Sequence, residues 1–309
     1  MDELAAPTAR TSKGLAPKVS VCVVTYNHEA YIEACLASVL SQNTDFDFEV
    51  VVGDDCSTDG TGAILERLAR EHPLSLRVIR RAANLGPSQN LLATHNAVLG
   101  EYVASLDGDD MALPGKLARQ AGLLDSEPGL VACGHTMRLI DESGSPTGQL
   151  YPARLSATFD IGKVIRCGMP VFASSIMYRA RARSLRACDF ELFDWFVLTD
   201  MLRSGDAGYI PETLGSHRIN RASLTGQMKM AAMQARMIGL YQMRLGELPE
   251  RRVDFFARAI FEALVCLRMG MPITAAHRRL LRSSWTPRAS SELVDTLAWA
   301  LANGAAMAR

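Results

Sequence analysis

The chain has 309 residues, of which 48% are hydrophobic and 21% are charged, which is the composition of a globular protein with a sizeable core. Its 33 Lys and Arg residues equal its 33 Asp and Glu residues, so the overall charge gives no basis for nucleic-acid binding. The 7 cysteines are scattered without CxxC spacing, which argues against a zinc site or a disulfide framework and favours a reducing cytoplasm.

The charge is unevenly distributed along the chain. Residues 225–309 contain 12 Lys or Arg and 6 Asp or Glu, a net charge of +6, so residues 1–224 carry −6. This asymmetry permits contact between the C-terminal part and an anionic membrane surface, and a solvated helical face is the alternative. No stretch reaches the roughly 18 apolar residues of a membrane-spanning helix. Residues 1–17 are polar and alanine-rich, which predicts a disordered lead-in rather than a signal peptide.

Strands alternate with helices in the first part of the chain. Apolar runs predict strands at Val19–Val24, Val50–Val52, Arg77–Ile79 and Tyr102–Leu106. After each strand, apolar residues recur at helical spacing. This alternation predicts an α/β fold with a mostly parallel, Rossmann-like central sheet flanked by helices.

The pattern changes after residue 130. Short strands are predicted within 131–140, at 174–178 and at Tyr209–Ile210, with an irregular stretch over 145–172. A helix is predicted from about Phe193 to Arg203. Beyond Thr225 the pattern is helical throughout.

Polar clusters follow three of the predicted strands, at 25–29, 53–59 and 107–110. The carboxyl ends of parallel strands meet at one edge of a sheet, so we expect the clusters to converge. The last cluster holds Asp107, Asp109 and Asp110, whose repulsion is costly unless a cation or strong donors compensate it. Carboxylate oxygens suit Mg²⁺ or Mn²⁺, which favour phosphate oxygens as further ligands. The cluster therefore predicts a metal–diphosphate site, with an ordinary turn as the alternative.

The order and spacing of these motifs resemble the inverting family 2 glycosyltransferases, which have the GT-A fold. The matching stretches are Val23–Glu29, Gly53–Thr61, Asn84–Gly86 with Asn90, and Gly100–Asp110. The resemblance covers about residues 18–224 and implies a catalytic domain there, preceded by the lead-in 1–17 and followed by a C-terminal helical region 225–309. It also implies sugar transfer with inversion from a nucleoside diphosphate sugar, with a UDP-sugar as the expected donor.

The resemblance implies a nucleotide site beyond the first strands. The residues expected around the base, the ribose and the diphosphate are Thr25, Tyr26, Asn27 and Glu29. A carboxylate of the second cluster, Asp54 or preferably Asp55, would accept a hydrogen bond from the uracil ring. Arg81 would contact the diphosphate, since a guanidinium pairs bidentately with phosphate, and a solvated strand end is the alternative. Arg218 is a second candidate for a phosphate contact.

Asp107 and Asp109 correspond to the DxD motif of the family, whose metal bridges the diphosphate. Asp109 is expected to bind Mn²⁺ or Mg²⁺ directly, and Asp107 to contact the metal, a metal-bound water or the ribose. Asp110 would support these ligands from behind. A third protein ligand stays open between His217 and Asn220, because Asn220 stands where many relatives have a histidine.

The resemblance assigns the catalytic base to the start of a late helix. Asp194 is the candidate that would take a proton from the acceptor hydroxyl, with helix capping as the alternative role. Relatives often have a second acidic residue just before it, where this chain has Phe193, so the match is partial. Glu191 and Asp189 are further candidates.

The acceptor is expected to be a saccharide, a lipid-linked glycan or a small metabolite, in polysaccharide, glycolipid or glycoconjugate biosynthesis. The protein is expected in the cytoplasm, with peripheral contact to the inner face of the membrane as an open possibility. Two other functions also stay open, a nucleotidyltransferase and a non-catalytic sugar-nucleotide-binding protein.

Overall fold

A computed structural model of the chain describes residues 16–183, 194–220, 230–285 and 296. Its strands are β1 Val19–Thr25, β2 Phe48–Asp54, β3 Leu76–Arg80, β4 Tyr102–Asp107, β5 Met111–Ala112, β6 Leu130–Ile140, β7 Pro146–Tyr151, β8 Thr158–Phe159, β9 Met177–Arg179 and β10 Asp206–Arg218. Its helices are α1 Ile32–Leu40, α2 Thr61–Glu71, α3 Pro87–His95, α4 Lys116–Ser126, α5 Ile161–Cys167, α6 Asp194–Met201, α7 Met230–Glu247, α8 Arg252–Arg268 and α9 Ala275–Ser284. A short 3₁₀ turn spans Ala173–Ser175.

The strands form one sheet in the order β3-β2-β1-β4-β9-β6-β10-β5. The four strands β3, β2, β1 and β4 are mutually parallel. Beyond them the sheet is mixed, because β9 runs antiparallel to both β4 and β6 while β10 runs parallel to β6. The predicted α/β fold, a central sheet flanked by helices, is confirmed.

Apolar side chains fill both faces of the parallel half of the sheet. Val21 and Val23 pack with α1, α2 and α4 on one face, whereas Cys22 packs with α5 and α6 on the other. Successive strand residues point to opposite faces. A strand buried on both faces therefore reads as a continuous apolar run, which is why these four strands are visible in the sequence.

Two strands of the second half are longer than the sequence predicts. The strand β6 is continuous over 11 residues and β10 over 13. Their pairing contains register shifts near Ile210 and Thr213, and polar residues such as His135 and Ser216 lie buried within them. Because these polar residues interrupt the apolar pattern, only fragments of the two strands could be recognised in the sequence.

The C-terminal helices pack on the sheet domain through buried ion pairs. Arg244 of α7 donates to Asp200 at 3.0 Å and to the carbonyl of Phe196 at 3.1 Å. Arg166 of α5 pairs with Asp254 of α8. Among the described helices, none combines the length and the apolar character needed to cross a bilayer.

Candidate functional site

The carboxyl ends of β1, β2 and β4 lie side by side at one edge of the sheet. In the parallel register, Thr25 is opposite Asp54 and Val24 is opposite Asp107. Thr25 is buried, and its carbonyl accepts the N–H of Asp55 at 3.0 Å. The polar segments after these strands therefore begin at neighbouring positions in space.

The loops after β1 and β2 are joined by hydrogen bonds. The N–H of Asn27 donates to Ser57 Oγ at 2.9 Å, and Glu29 Oε2 accepts the N–H of Gly60 at 2.6 Å. Asn27 has a φ of 54°, a conformation that asparagine tolerates better than most residues. Tyr26 projects from the joined loops with 42% of its surface exposed, so its ring is available for stacking.

Asp54 and Asp55 are both buried and both accept hydrogen bonds. Asp54 Oδ1 accepts the N–H of Ser57 at 3.0 Å and its hydroxyl at 2.5 Å. Asp55 Oδ1 accepts the N–H of Leu85 at 2.8 Å, and Oδ2 accepts the N–H of Gly86 at 2.9 Å. The two carboxylates therefore hold the loops that precede α2 and α3. Each oxygen of Asp55 keeps a second lone pair, and its contact with a uracil ring stays a prediction.

Arg81 is held against α3. Its Nε donates to Asn90 Oδ1 at 3.3 Å, and Nη2 donates to Thr94 Oγ1 at 3.3 Å. Partial burial lowers the pKa of Arg81, opposed by the charge of Asp55. The side chain is thus fixed at the rim of the site rather than extended into solvent, and its contact with a diphosphate stays a prediction.

The loop after β4 concentrates negative charge. Burial, followed by the charges of Asp110 and Asp194, raises the pKa of Asp107 well above its ordinary value. Burial and Asp110 also raise the pKa of Asp109. In the ranges that the structure describes, neither Asp107 nor Asp109 forms an ion pair. Since neither carboxylate has an ion-pair partner there, a cation bound between them would be favoured.

Asp110 is turned away from this pair and into the protein. It is fully buried, its Oδ1 accepts the N–H of Arg218 at 2.9 Å, and Oδ2 lies 3.0 Å from His217 Nδ1. Burial disfavours a charge on His217, but the carboxylates, above all Asp110, outweigh it and raise the pKa to about 9. The His217 ring also stacks on Phe172 with 4.0 Å between centroids.

The structure leaves the third metal ligand open. Nδ1 of His217 is occupied by Asp110, and Asn220 is half-buried just beyond the end of β10. Within the described residues, no group of three or more His, Cys, Asp or Glu side chains is arranged to hold a metal ion. A third ligand from His217 or Asn220 therefore stays a prediction.

Arg218 connects three loops around the carboxylates. Its Nε donates to the carbonyl of Asp109 at 3.0 Å. Its Nη1 donates to the carbonyls of Asp141 and Glu142 at 3.0 and 2.9 Å. The guanidinium also lies over the ring of Tyr31, 4.4 Å from its centroid. These contacts give Arg218 a role in shaping the loop after β4, and a phosphate contact stays a prediction.

Asp194 begins α6 and lines the same cavity as Asp107. Its side chain reaches solvent, yet the surrounding protein raises its pKa, opposed by the positive charge of His217. The neighbouring Trp195 belongs to the core, where its indole N–H donates to the carbonyl of Val164 at 3.0 Å. Three residues discussed with Asp194 lie outside the described ranges: Asp189, Glu191 and Phe193.

A support for Asp107 was not foreseen from the sequence. The N–H of Asp107 donates to Ser174 Oγ at 3.0 Å, and the carbonyl of Ser174 accepts from Lys116 Nζ at 3.0 Å. Lys116 is buried, lies 2.9 Å from His135 Nε2, and has its pKa lowered by burial to about 7. The sequence feature that could have indicated this support is the position of Lys116, at the start of the helix that follows the carboxylates.

Comparisons with known proteins match the chain to one protein family. The profile of the family described as glycosyl transferase family 2 matches residues 20–180. The uncharacterized protein Rv1520 of Mycobacterium tuberculosis is 29% identical over 202 residues, which cover 65% of this chain and 58% of that protein. The abequosyltransferase RfbV of Salmonella typhimurium is 31% identical over 116 residues, 37% of this chain and 35% of that protein. The chain thus spans less than two thirds of the length of these curated relatives.

Solved structures share the fold over most of the chain. Staphylococcus aureus TarS 1–349 in complex with UDP-GlcNAc matches with a TM-score of 0.62 and 20% identity, covering 93% of this chain and 81% of that one. The mannosyltransferase PcManGT from Pyrobaculum calidifontis, in complex with GDP-Man and Mn²⁺, matches with a TM-score of 0.55 and 18% identity, covering 93% and 88%.

Proposed function

Because the chain belongs to glycosyl transferase family 2, we propose that it moves a sugar with inversion from a nucleoside diphosphate sugar, expected to be a UDP-sugar, to a hydroxyl acceptor. The observation that carries this proposal is one cavity lined by both Asp107 and Asp194. The first carboxylate belongs to a loop suited to a metal–diphosphate group. The second begins a helix and lines the same cavity, where it can serve as a base. A sugar between them would have its leaving group on one side and its acceptor on the other.

The nucleotide would lie over the ends of β1 and β2. Tyr26 offers an exposed ring for the base, and Thr25, Asn27 and Glu29 belong to the adjoining loop. We assign the contact with the uracil ring to Asp55 rather than Asp54, and the diphosphate contacts to Arg81 and Arg218. The hydrogen bonds that fix the two loops support this assignment, because a preorganised site loses less entropy on binding.

The residues present fit a divalent cation. Asp107 and Asp109 are close carboxylates with raised pKa values, and Asp110 is committed to His217 and Arg218. Two protein carboxylates together with diphosphate oxygens form a usual Mg²⁺ site, and Mn²⁺ accepts the same ligands. Bound there, the cation would stabilise the negative charge that develops on the departing diphosphate.

Asp194 would act as the base. Its carboxylate takes the proton of the acceptor hydroxyl while that oxygen forms a bond with the anomeric carbon, and the bond from this carbon to the diphosphate oxygen breaks. Attack from the side opposite the diphosphate inverts the anomeric centre. The raised pKa of Asp194 suits the role, because a base is more effective when its pKa approaches the working pH.

We propose the division into a catalytic domain over 18–224 and a helical region over 225–309. The acceptor is proposed to be a saccharide, a lipid-linked glycan or a small metabolite.

For the helical region we also propose contact with an anionic membrane. Its exposed side chains include both apolar and basic groups: Leu264, Leu267, Met269, Trp285, Arg278, Arg279 and Arg282. Sedimentation with phosphatidylserine vesicles tests the contact, and protein that stays in the supernatant would contradict it.

Calorimetric titration of UDP into the metal-stripped protein, with and without Mn²⁺, tests the donor site. We expect binding that strengthens at least about tenfold with Mn²⁺. Absence of binding in both conditions would contradict a UDP-sugar donor and direct the same titration to GDP and dTDP. Product analysis with a UDP-sugar then separates the reactions, since sugar transfer releases UDP whereas nucleotidyl transfer releases pyrophosphate.

A further inference from the structure

The candidate metal ligands belong to a loop whose two ends meet at one residue. This segment, the carboxylate loop, runs from Asp107 at the end of β4 to Lys116 at the start of α4. Both of these end residues are hydrogen-bonded to Ser174 of the 3₁₀ turn Ala173–Ser175. The way in which the loop ends are held matters for binding, because a shift of about 0.5 Å is enough to spoil the geometry of a metal site.

The first end of the carboxylate loop is held where the pairing of β4 with β9 stops. The antiparallel register of these strands continues to Ser105, whose N–H donates to the carbonyl of Ile176 at 2.9 Å. Two residues further along β4, the same register places Asp107 opposite Ser174. The chain has turned into the 3₁₀ turn there, and the N–H of Asp107 donates to Ser174 Oγ at 3.0 Å. The hydroxyl of Ser174 therefore takes the place of a strand carbonyl at the last residue of β4.

The second end of the loop is held by the carbonyl of Ser174. This carbonyl accepts Lys116 Nζ at 3.0 Å. Lys116 is buried, and its Nζ also lies 2.9 Å from His135 Nε2, so its position is fixed from two sides. One helical turn later, Gln120 Nε2 donates to the carbonyl of Ser175 at 2.8 Å. The helix α4 thus anchors the same turn that holds the end of β4.

We propose that Ser174 is a positioning residue of the metal site, because its hydroxyl and its carbonyl together fix both ends of the carboxylate loop. The inference rests on the proposed function, in which Asp107 and Asp109 bind the cation. Ser174 is 1% exposed and acts through the backbone of Asp107 and the side chain of Lys116. The carboxylates repel each other without a cation, and a loop with fixed ends keeps them close. Less order then has to be created when the cation binds.

The test compares Ser174→Ala with Ser175→Ala, a matched control in the same turn. Ser175 is also buried, but its Oγ donates to the carbonyl of Phe172 at 2.7 Å, so it does not reach the carboxylate loop. Each variant loses one buried hydroxyl group, and urea denaturation should show similar losses of stability.

Calorimetric titration of UDP at a series of Mn²⁺ concentrations should separate the two variants. The Mn²⁺ concentration that gives half of its effect on UDP binding should rise about tenfold in Ser174→Ala and stay within about twofold of the wild type in Ser175→Ala. The affinity for UDP without metal should be the same in all three proteins, because the nucleotide contacts are unchanged.

Lys116→Met tests the proposal from the other end of the loop. It removes the donor to the Ser174 carbonyl, while Gln120 still holds the turn. The Mn²⁺ concentration required should therefore rise in this variant too. If Ser174→Ala does not fold, an unchanged Mn²⁺ requirement in Lys116→Met would overturn the proposal.

The outcomes separate this proposal from the proposed function. If UDP binds the wild type no more tightly with Mn²⁺ than without it, the proposed metal–diphosphate site for UDP is wrong, and the role of Ser174 is overturned with it. If Mn²⁺ strengthens binding in the wild type but Ser174→Ala and Ser175→Ala require the same concentration, the metal site stands and the role of Ser174 alone is wrong. A higher requirement in Ser174→Ala than in Ser175→Ala supports both.

Discussion

The loops after β2 and β4 carry similar carboxylates in opposite environments. Asp54 and Asp55 accept backbone and hydroxyl hydrogen bonds that hold the adjoining loops. Asp107 and Asp109 form no ion pair within the described ranges, and burial followed by the charge of Asp110 raises their pKa values. The first pair therefore stabilises the loops that it holds, whereas the second pair destabilises the loop after β4 until a cation binds. The hydrogen-bond and ion-pair partners of an acidic residue at a strand end thus distinguish a structural carboxylate from a candidate metal ligand.

Asp194, at the start of α6, is a third carboxylate of the site. Its replacement should have the largest effect, which is on the rate of sugar transfer. Asp194→Asn keeps the shape of the side chain but cannot take a proton, so the rate of sugar transfer should fall about 10²–10⁴-fold. Affinity for UDP with Mn²⁺ should stay within about threefold, because the proposed role of Asp194 is to act on the acceptor rather than on the nucleotide. Steady-state kinetics and calorimetry measure the two quantities, and turnover near the wild-type rate would remove Asp194 as the base.

The wild-type rate should also depend on pH. The pKa of Asp194 is raised, so its carboxylate is protonated and inactive as a base at a higher pH than an ordinary aspartate. Activity should therefore fall as the pH is lowered through this raised pKa. The acidic limb of the profile of kcat against pH should be absent from the residual activity of Asp194→Asn.

Asp109→Ala should abolish the effect of Mn²⁺ on UDP binding, because it removes a proposed ligand. The folded protein without metal should be as stable as the wild type or more stable, since a repelling charge is gone. Calorimetry and urea denaturation measure the two effects. Asp45→Ala, at an exposed position, is the matched control for loss of a carboxylate. Unchanged dependence on Mn²⁺ in Asp109→Ala would place the metal elsewhere.

Asp55→Ala should lower the stability of the protein, in contrast to Asp109→Ala. It leaves the N–H groups of Leu85 and Gly86 without their acceptor, so the free energy of unfolding should decrease by about 2–3 kcal/mol. Asp55→Asn keeps one acceptor oxygen and should lose less. If denaturation in urea shows Asp55→Ala to be as stable as Asp109→Ala, the proposed difference between the two loops is wrong.

Lys116 should change how the stability of the protein depends on pH. Burial lowers its pKa from 10.5 to about 7, so between these values the unfolded chain binds one more proton than the folded chain. Lys116 therefore makes the wild type more stable as the pH rises through this window, by at most about 1.4 kcal/mol per pH unit. Lys116→Met should lack this slope. Urea denaturation at several pH values compares the two proteins, and parallel curves would contradict the lowered pKa.

Local patterns in the sequence were sufficient to predict the parallel half of the sheet and the polar segments at its edge. The strands β1 to β4 are buried on both faces, so their apolar runs are continuous and their ends are marked by polar residues. Because the carboxyl ends of parallel strands share one edge, residues such as Asn27, Asp55 and Asp107 could be placed near one another without coordinates. The assignment of individual roles within this edge remained a prediction.

The distant partners of Asp110 and His95 were decided by tertiary structure alone. Asp110 meets His217 and Arg218 across more than 100 positions of the chain, and His95 meets Tyr178 across 83. No local periodicity encodes such contacts, because they depend on the order of strands in the sheet and on the packing of helices across it. The sequence therefore determined where the carboxylates lie, and the long-range contacts decided which of them have partners and where a cavity remains.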